Sequence, residues 1–98
     1  MIELGGNIKL SGFNEVDAAS LVVVKKIVGN YAKRMKEESG EYKELVLELH
    51  QESEKQFGLR AQVTGAKQWN ADASGSNLFF TIDSALAKVM AEMKGVRG

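Results

Sequence analysis

Apolar and polar residues alternate from the start of the chain: Ile2, Leu4, Gly6, Ile8 and Leu10 share one parity, and Glu3, Gly5, Asn7 and Lys9 the other. A period of two predicts a strand with one buried face. Gly5-Gly6 marks a bulge or a break in it, and Ser11-Gly12 reads as the turn that follows. The period then changes. Val16, Ser20, Val23, Val24, Ile27, Tyr31 and Met35 recur at threes and fours, which predicts an amphipathic helix running to about Glu38. Asn14 is the expected N-cap, with Glu15 and Asp17 in the first turn where the helix dipole favours acids. Ser39-Gly40 is the expected stop. Val22-Val23-Val24 is β-branched and locally ambiguous, but the length and periodicity of the segment favour helix.

Alternation returns in the middle of the chain. Leu45, Leu47 and Leu49 alternate with Glu44, Val46, Glu48 and His50 as a second strand, and the polar stretch from Gln51 to Lys55 reads as a hairpin loop. Phe57, Leu59, Ala61 and Val63 mark a third strand, and Gly65-Ala66 a turn. Trp69, Ala71 and Ala73 mark a fourth strand, with Trp69 on the core parity. Ser74-Gly75-Ser76-Asn77 is a breaker followed by a cap. The last helix then places Leu78, Phe79, Ile82, Leu86, Val89, Met90 and Met93 on one side; Gly95 ends it and Arg97-Gly98 frays. The order β-α-β-β-β-α predicts a single α+β domain over residues 1–98: a two-layer sandwich with a mixed four-stranded sheet and both helices on one face.

Composition narrows the chemistry. The chain has 98 residues, no Cys and no Pro, with 13 Lys+Arg against 13 Asp+Glu. One domain of this size buries roughly 60–65% of its unfolded surface, enough for a core without staples. The absence of cysteine removes disulfides and thiolate metal sites and suits a reducing interior. No run reaches the ~18 apolar residues of a membrane span, and Met1-Ile2-Glu3-Leu4 has no basic signal-peptide n-region. The expected location is cytoplasmic.

Few residues invite catalysis. His50 is the only histidine and falls on the solvent parity with Glu44 and Glu48. It is either a base or ligand paired with Glu48 or Glu52, or a solvated strand residue, and the second reading is favoured. No serine lies in a nucleophile-elbow sequence, and no glycine pattern matches a phosphate or dinucleotide loop. The expectation is a protein that is not an enzyme and holds no cofactor or metal.

Charge distribution says more than net charge. Between Ala18 and Lys36 there is no acid, while Lys25, Lys26, Lys33, Arg34 and Lys36 all fall there. On a helical projection the four lysines share a sector of about 100°, with Val22 and Gly29 between them and Arg34 near the apolar border. This is a cationic ridge with a flat spot at Gly29, suited to gripping phosphates. The alternative is a solvated face whose cations complement the helix C-terminus. The solvent face of the sheet carries Glu44 and Glu48 and lacks aromatic side chains, which argues against base stacking there. On the last helix Phe80, Ser84, Ala87 and Ala91 line up opposite the core side. Phe80, Ala87 and Ala91 are therefore a candidate partner interface, with a homodimer as one form.

The segment Trp69-Asn-Ala-Asp-Ala-Ser-Gly-Ser-Asn-Leu-Phe-Phe-Thr-Ile-Asp-Ser-Ala-Leu-Ala-Lys-Val, with Phe79, Ile82, Asp83 and Lys88 in its helical part, resembles the ribosome-hibernation (ribosome-associated inhibitor) factor domain. The element order over nearly the whole chain is similar too. The resemblance implies a double-stranded-RNA-binding-like fold and, as partner, structured RNA or the small ribosomal subunit, whose mRNA and tRNA channel such domains occlude. It further implies that Lys25, Lys26, Lys33, Arg34 and Lys36 contact ribosomal RNA, helped by Lys88 and Lys94. The final helix departs from the strongly basic pattern of the family, setting only Lys88 and Lys94 against Asp83 and Glu92.

Overall fold

The alternation at the amino end resolves into a hairpin, not one strand. The structure, a computed structural model, describes residues 2–5, 7–39 and 42–93. Within them the order is β1 (Ile2–Leu4), β2 (Ile8–Ser11), α1 (Ala18–Ser39), β3 (Glu44–Ser53), β4 (Gln56–Thr64), β5 (Gln68–Gly75) and α2 (Leu78–Met93). The sheet therefore has five strands where the sequence pattern predicts four, in the spatial order β1-β2-β3-β4-β5. The break is made by Asn7, whose φ of 62° is left-handed, a conformation its short polar side chain tolerates. Asn7 also fastens the next connection. Its Nδ2 donates to the Lys43 carbonyl at 3.0 Å, and its own carbonyl accepts from the Leu45 N–H at 3.0 Å and the Tyr42 hydroxyl at 3.2 Å.

β2 and β3 pair in parallel across the α1 crossover; the other three pairings are antiparallel. The register lines up apolar rows on one face: Ile8 opposite Leu45, then Val63, then Trp69, and beside it Leu10, Leu47, Ala61 and Ala71. Both helices cover that face. The core joins these rows to Val24, Val28, Ala32 and Met35 of α1 and to Ile82, Ala85, Leu86, Val89 and Met90 of α2. Trp69 and Met93 pack half-buried against it, so Trp69 is a packing residue as its parity predicts.

Helix α1 begins at Ala18, and its cap is Asp17, not Asn14: Asp17 Oδ2 accepts the Ser20 N–H at 3.0 Å and its carbonyl accepts the Leu21 N–H at 2.9 Å. Hydrogen bonding from Ser20 holds the Asp17 carboxyl below its ordinary value. The shift in the cap has a tertiary cause. Phe13 is fully buried, and the chain must make a turn, closed by the Val16 N–H on the Phe13 carbonyl at 3.1 Å, before the helix starts. That turn follows Gly12, where φ is +80° and a Cβ would run into the Leu49 carbonyl oxygen. The helix is also rotated slightly from its expected stripe: Val28 and Ala32 are buried while Val23 is 40% exposed.

The polar stretch after Leu49 is strand, not loop. β3 continues to Ser53, which pairs with Gln56 after a bulge between Gln51 and Ser53, leaving Glu54-Lys55 as the turn. Gln51 Nε2 donates to the Ser53 carbonyl at 2.6 Å and helps hold it. At the other end of the sheet, Asn77 caps α2 as expected: its Oδ1 accepts the Phe80 N–H at 2.9 Å and its carbonyl accepts both the N–H and the hydroxyl of Thr81. The expected stops at Gly40 and Gly95, and the frayed Arg97-Gly98, lie outside the described residues.

Two measurements check this arrangement. Asn77→Ala removes a working cap and should cost about 1 kcal/mol of stability; Asn14→Ala, off the helix, should stay within about 0.5 kcal/mol. Denaturant midpoints decide, and a larger loss for Asn14→Ala would contradict the cap assignment. Both tyrosines should titrate late. Burial, aided by Glu44, pushes the Tyr42 phenol up to about 12; burial, aided by the hydrogen bond to Asp83, raises Tyr31. The folded chain then keeps protons that the unfolded chain has lost, so stability should fall as pH rises from the ordinary value of 10.0 toward about 12. Tyrosine absorbance titrated in the native and denatured protein measures the difference.

Candidate nucleic-acid interface

Once Asp17 fixes the start of α1, the helical repeat of about 100° per residue fixes which side chains share a flank. Val24, Val28 and Met35 point into the core, and Tyr31 stands on the flank facing α2, where its hydroxyl donates to Asp83 Oδ1 at 2.9 Å. Arg34 is on that same flank, its guanidinium 5.4 Å from the centre of the Tyr31 ring. Lys25, Lys26, Lys33 and Lys36 occupy the opposite flank, all exposed, with Val22 63% exposed and Gly29 half-buried among them. The ridge read from the sequence is thus assembled on one side of the helix, and Arg34 stands apart from it in the seam between the helices.

The remaining expected cations are not brought to the ridge. Lys88 lies on the flank of α2 turned away from α1, and its Nζ donates to the Asp72 carbonyl at 3.1 Å. There it satisfies a main-chain acceptor of the edge strand β5, one way of blunting an exposed edge. Lys94 lies outside the described residues.

The outer face of the sheet is polar and largely self-paired. Lys9 meets Glu44 at 3.0 Å and Arg60 meets Asp72 at 3.0 Å. The hydrogen bond to its carboxylate is the chief cause that raises each cation's pKa above its ordinary value. The described strands project no Phe, Tyr or Trp from this face, so it offers no stacking platform for bases. His50 belongs to it, 3.5 Å from Glu52, and its imidazole lies over Gly58, where a Cβ would meet it. Among the described residues no three His, Cys, Asp or Glu side chains are grouped to hold a metal ion.

A cleft of about 740 Å³ opens at the end of the sheet where both helices begin, between Asp17, Leu49, His50, Phe57, Asn77 and Phe79. Its walls carry Glu15 and Asp17 and no Lys or Arg. At the two helix starts that face it, the Ser20 and Phe80 N–H groups are already taken by the Asp17 and Asn77 side chains. Such a cleft does not favour a phosphate. On the far side of α2, Phe80 is 71% exposed, and Ala87 and Ala91 are exposed beside it.

Three residues that position these features escape the pattern of hydrophobic and polar positions: Asn7, Phe13 and Asp17. Asp17 alone had a visible signal, an acid three residues before Ser20 at a helix start. Asn7 acts through partners 35 to 38 positions away and Phe13 through the whole core.

No protein-family model matches the chain, and no curated protein does. Solved structures do. The chain is similar to a ribosomal subunit interface protein from Coxiella burnetii, 14% identical with a TM-score of 0.68 over 91% of this chain and 92% of that one. It is also similar to the N-terminal domain of Protein Y from Thermus thermophilus, 15% identical with a TM-score of 0.66 over 98% of this chain and all of that one. At these identities the shared property is the fold, and the likeness read from residues 69–89 is borne out at that level.

Proposed function

We propose that this chain is a non-catalytic, ribosome-associated protein that holds the phosphate backbone of structured RNA, in the small ribosomal subunit, on the outer flank of α1. The observation that carries this reading is the grouping of Lys25, Lys26, Lys33 and Lys36 on one exposed flank with no acid among them. Support also comes from the fold, which the chain shares with a ribosomal subunit interface protein. A cytoplasmic location accompanies the reading; among the described residues no helix is long and apolar enough to cross a membrane.

The chemistry follows from the side chains. Lysine ammonium groups are mobile point charges that hold phosphate oxygens without reading bases. With the outer sheet face unsuited to stacking, recognition is by backbone and shape. Arg34, at the seam, and Lys88 and Lys94, on or beyond α2, are secondary contacts in this reading. A net charge of zero gives little long-range steering, so the contact is local and sensitive to salt.

The test is charge reversal. Changing Lys25, Lys26, Lys33 and Lys36 together to Glu should weaken binding to small ribosomal subunits and to total RNA by about 100-fold or more at low salt. The fold should survive, because all four side chains are exposed. Absence of wild-type binding to either probe, or equal binding by the variant, overturns the reading. A protein contact through Phe80, Ala87 and Ala91 is the second reading, favoured by the 71% exposure of Phe80. Sedimentation equilibrium tests its homodimer form, and a clean monomer at high concentration removes it.

A further inference from the structure

Gly29 stands near the middle of α1, where glycine lowers helix stability relative to alanine. Gly5 is equally open but lies in the turn after β1, and three other glycines have internal reasons for lacking a side chain. Gly12 has a positive φ and a carbonyl oxygen in the way, Gly58 lies beneath His50 and Glu52, and a Cβ on Gly75 would approach Thr81 Oγ1 to 2.7 Å. Gly29 has none: its φ is not positive, and a Cβ built on it meets nothing within 4 Å. The interior of the protein does not require a bare backbone there.

The surroundings supply an external reason. On a helix surface the neighbours of position 29 are those three and four residues away: Lys25, Lys26, Ala32 and Lys33. Ala32 is buried, so the near neighbours exposed around Gly29 are three lysines, with Lys36 seven residues on and the exposed Val22 seven residues back along the same flank. Each lysine carries its charge on a flexible four-carbon stem. An anion resting on bare helix backbone at Gly29 is within reach of all three from different sides. A side chain at 29 would hold that anion off the helix and force the lysines to extend.

We propose that Gly29 is the point of closest approach between α1 and the RNA, where the sugar–phosphate backbone lies directly against the helix and Lys25, Lys26 and Lys33 close around it. The occupant is RNA because every charged group around Gly29 is a cation, with the exposed Val22 as the one apolar side chain on that flank. This inference rests on the proposed RNA-binding role of the ridge and adds a steric requirement that charge alone does not impose.

The experiment compares wild type, Gly29→Ala, Gly29→Leu and the fourfold Lys→Glu variant for binding to small ribosomal subunits at about 50 mM salt, with a thermal melt of each. Gly29→Ala should raise Tm by about 4 °C yet bind more weakly. Gly29→Leu should lose about tenfold or more in affinity with a Tm no lower than wild type. Because neither removes a charge, both should keep the wild-type salt slope, whereas loss of phosphate contacts lowers it. Unchanged affinity in Gly29→Leu alongside loss in the Lys→Glu variant overturns the close contact and leaves the ridge standing. No binding by wild type, or full binding by the Lys→Glu variant, overturns the ridge and the contact with it.

Discussion

One-sided burial of the sheet governs this molecule. The strand registers stack Ile8, Leu45, Val63 and Trp69 in one row and Leu10, Leu47, Ala61 and Ala71 in the next. A slip of one residue in any strand would turn its row to water. Two helices are enough to cover the apolar face, and each must give one stripe to it. What remains for recognition is the outer flank of each helix and the polar face of the sheet. The parallel step from β2 to β3 ties these together: α1 is the crossover that makes it, and Asn7 clamps the two strand starts that it joins.

The balanced charge of the chain therefore averages two unlike surfaces. On the sheet, Lys9 with Glu44 and Arg60 with Asp72 neutralise each other at 3.0 Å. Such exposed pairs add little stability, and Glu3, Glu48 and Glu52 on the same face leave it acidic on balance. On α1 no acid lies between Ala18 and Lys36, and Glu37 follows directly after. The acid nearest the helix seam, Asp83, faces the opposite flank, where it accepts from Tyr31. Within a Debye length of about 10 Å at ordinary salt, the ridge is the dominant cationic feature of α1.

Much of this was legible in the sequence, for a definable reason. Strand parity reports which side chains must leave water, so the two faces of β3, β4 and β5 could be assigned residue by residue. The cap at Asn77 follows a breaker and precedes a strong apolar stripe, so nothing competed with it. Elsewhere the pattern allowed two answers and tertiary structure chose. Gly5-Gly6 fits a bulge or a break, and the strand does break there, with Asn7 left-handed just before β2. Asn14 and Asp17 can both cap a helix; burial of Phe13 selects Asp17. Gln51 to Ser53 is polar because its side chains are exposed, yet its backbone still pairs with β4. In the candidate site, helical periodicity gathered the four lysines correctly, since position on one helix is a local property. It could not show that Lys88 is spent on the Asp72 carbonyl, a contact between elements.

The fold outlasts recognisable sequence here, with 14% and 15% identity to structures of the same architecture, so function has to be argued from the surface and not from the scaffold. The most direct measurement is the salt dependence of wild-type binding to small ribosomal subunits. If the four ridge lysines each neutralise one phosphate, log Kobs should fall against log salt concentration with a slope of about −3 to −4. A slope near zero, or no binding at about 50 mM salt, would contradict the account.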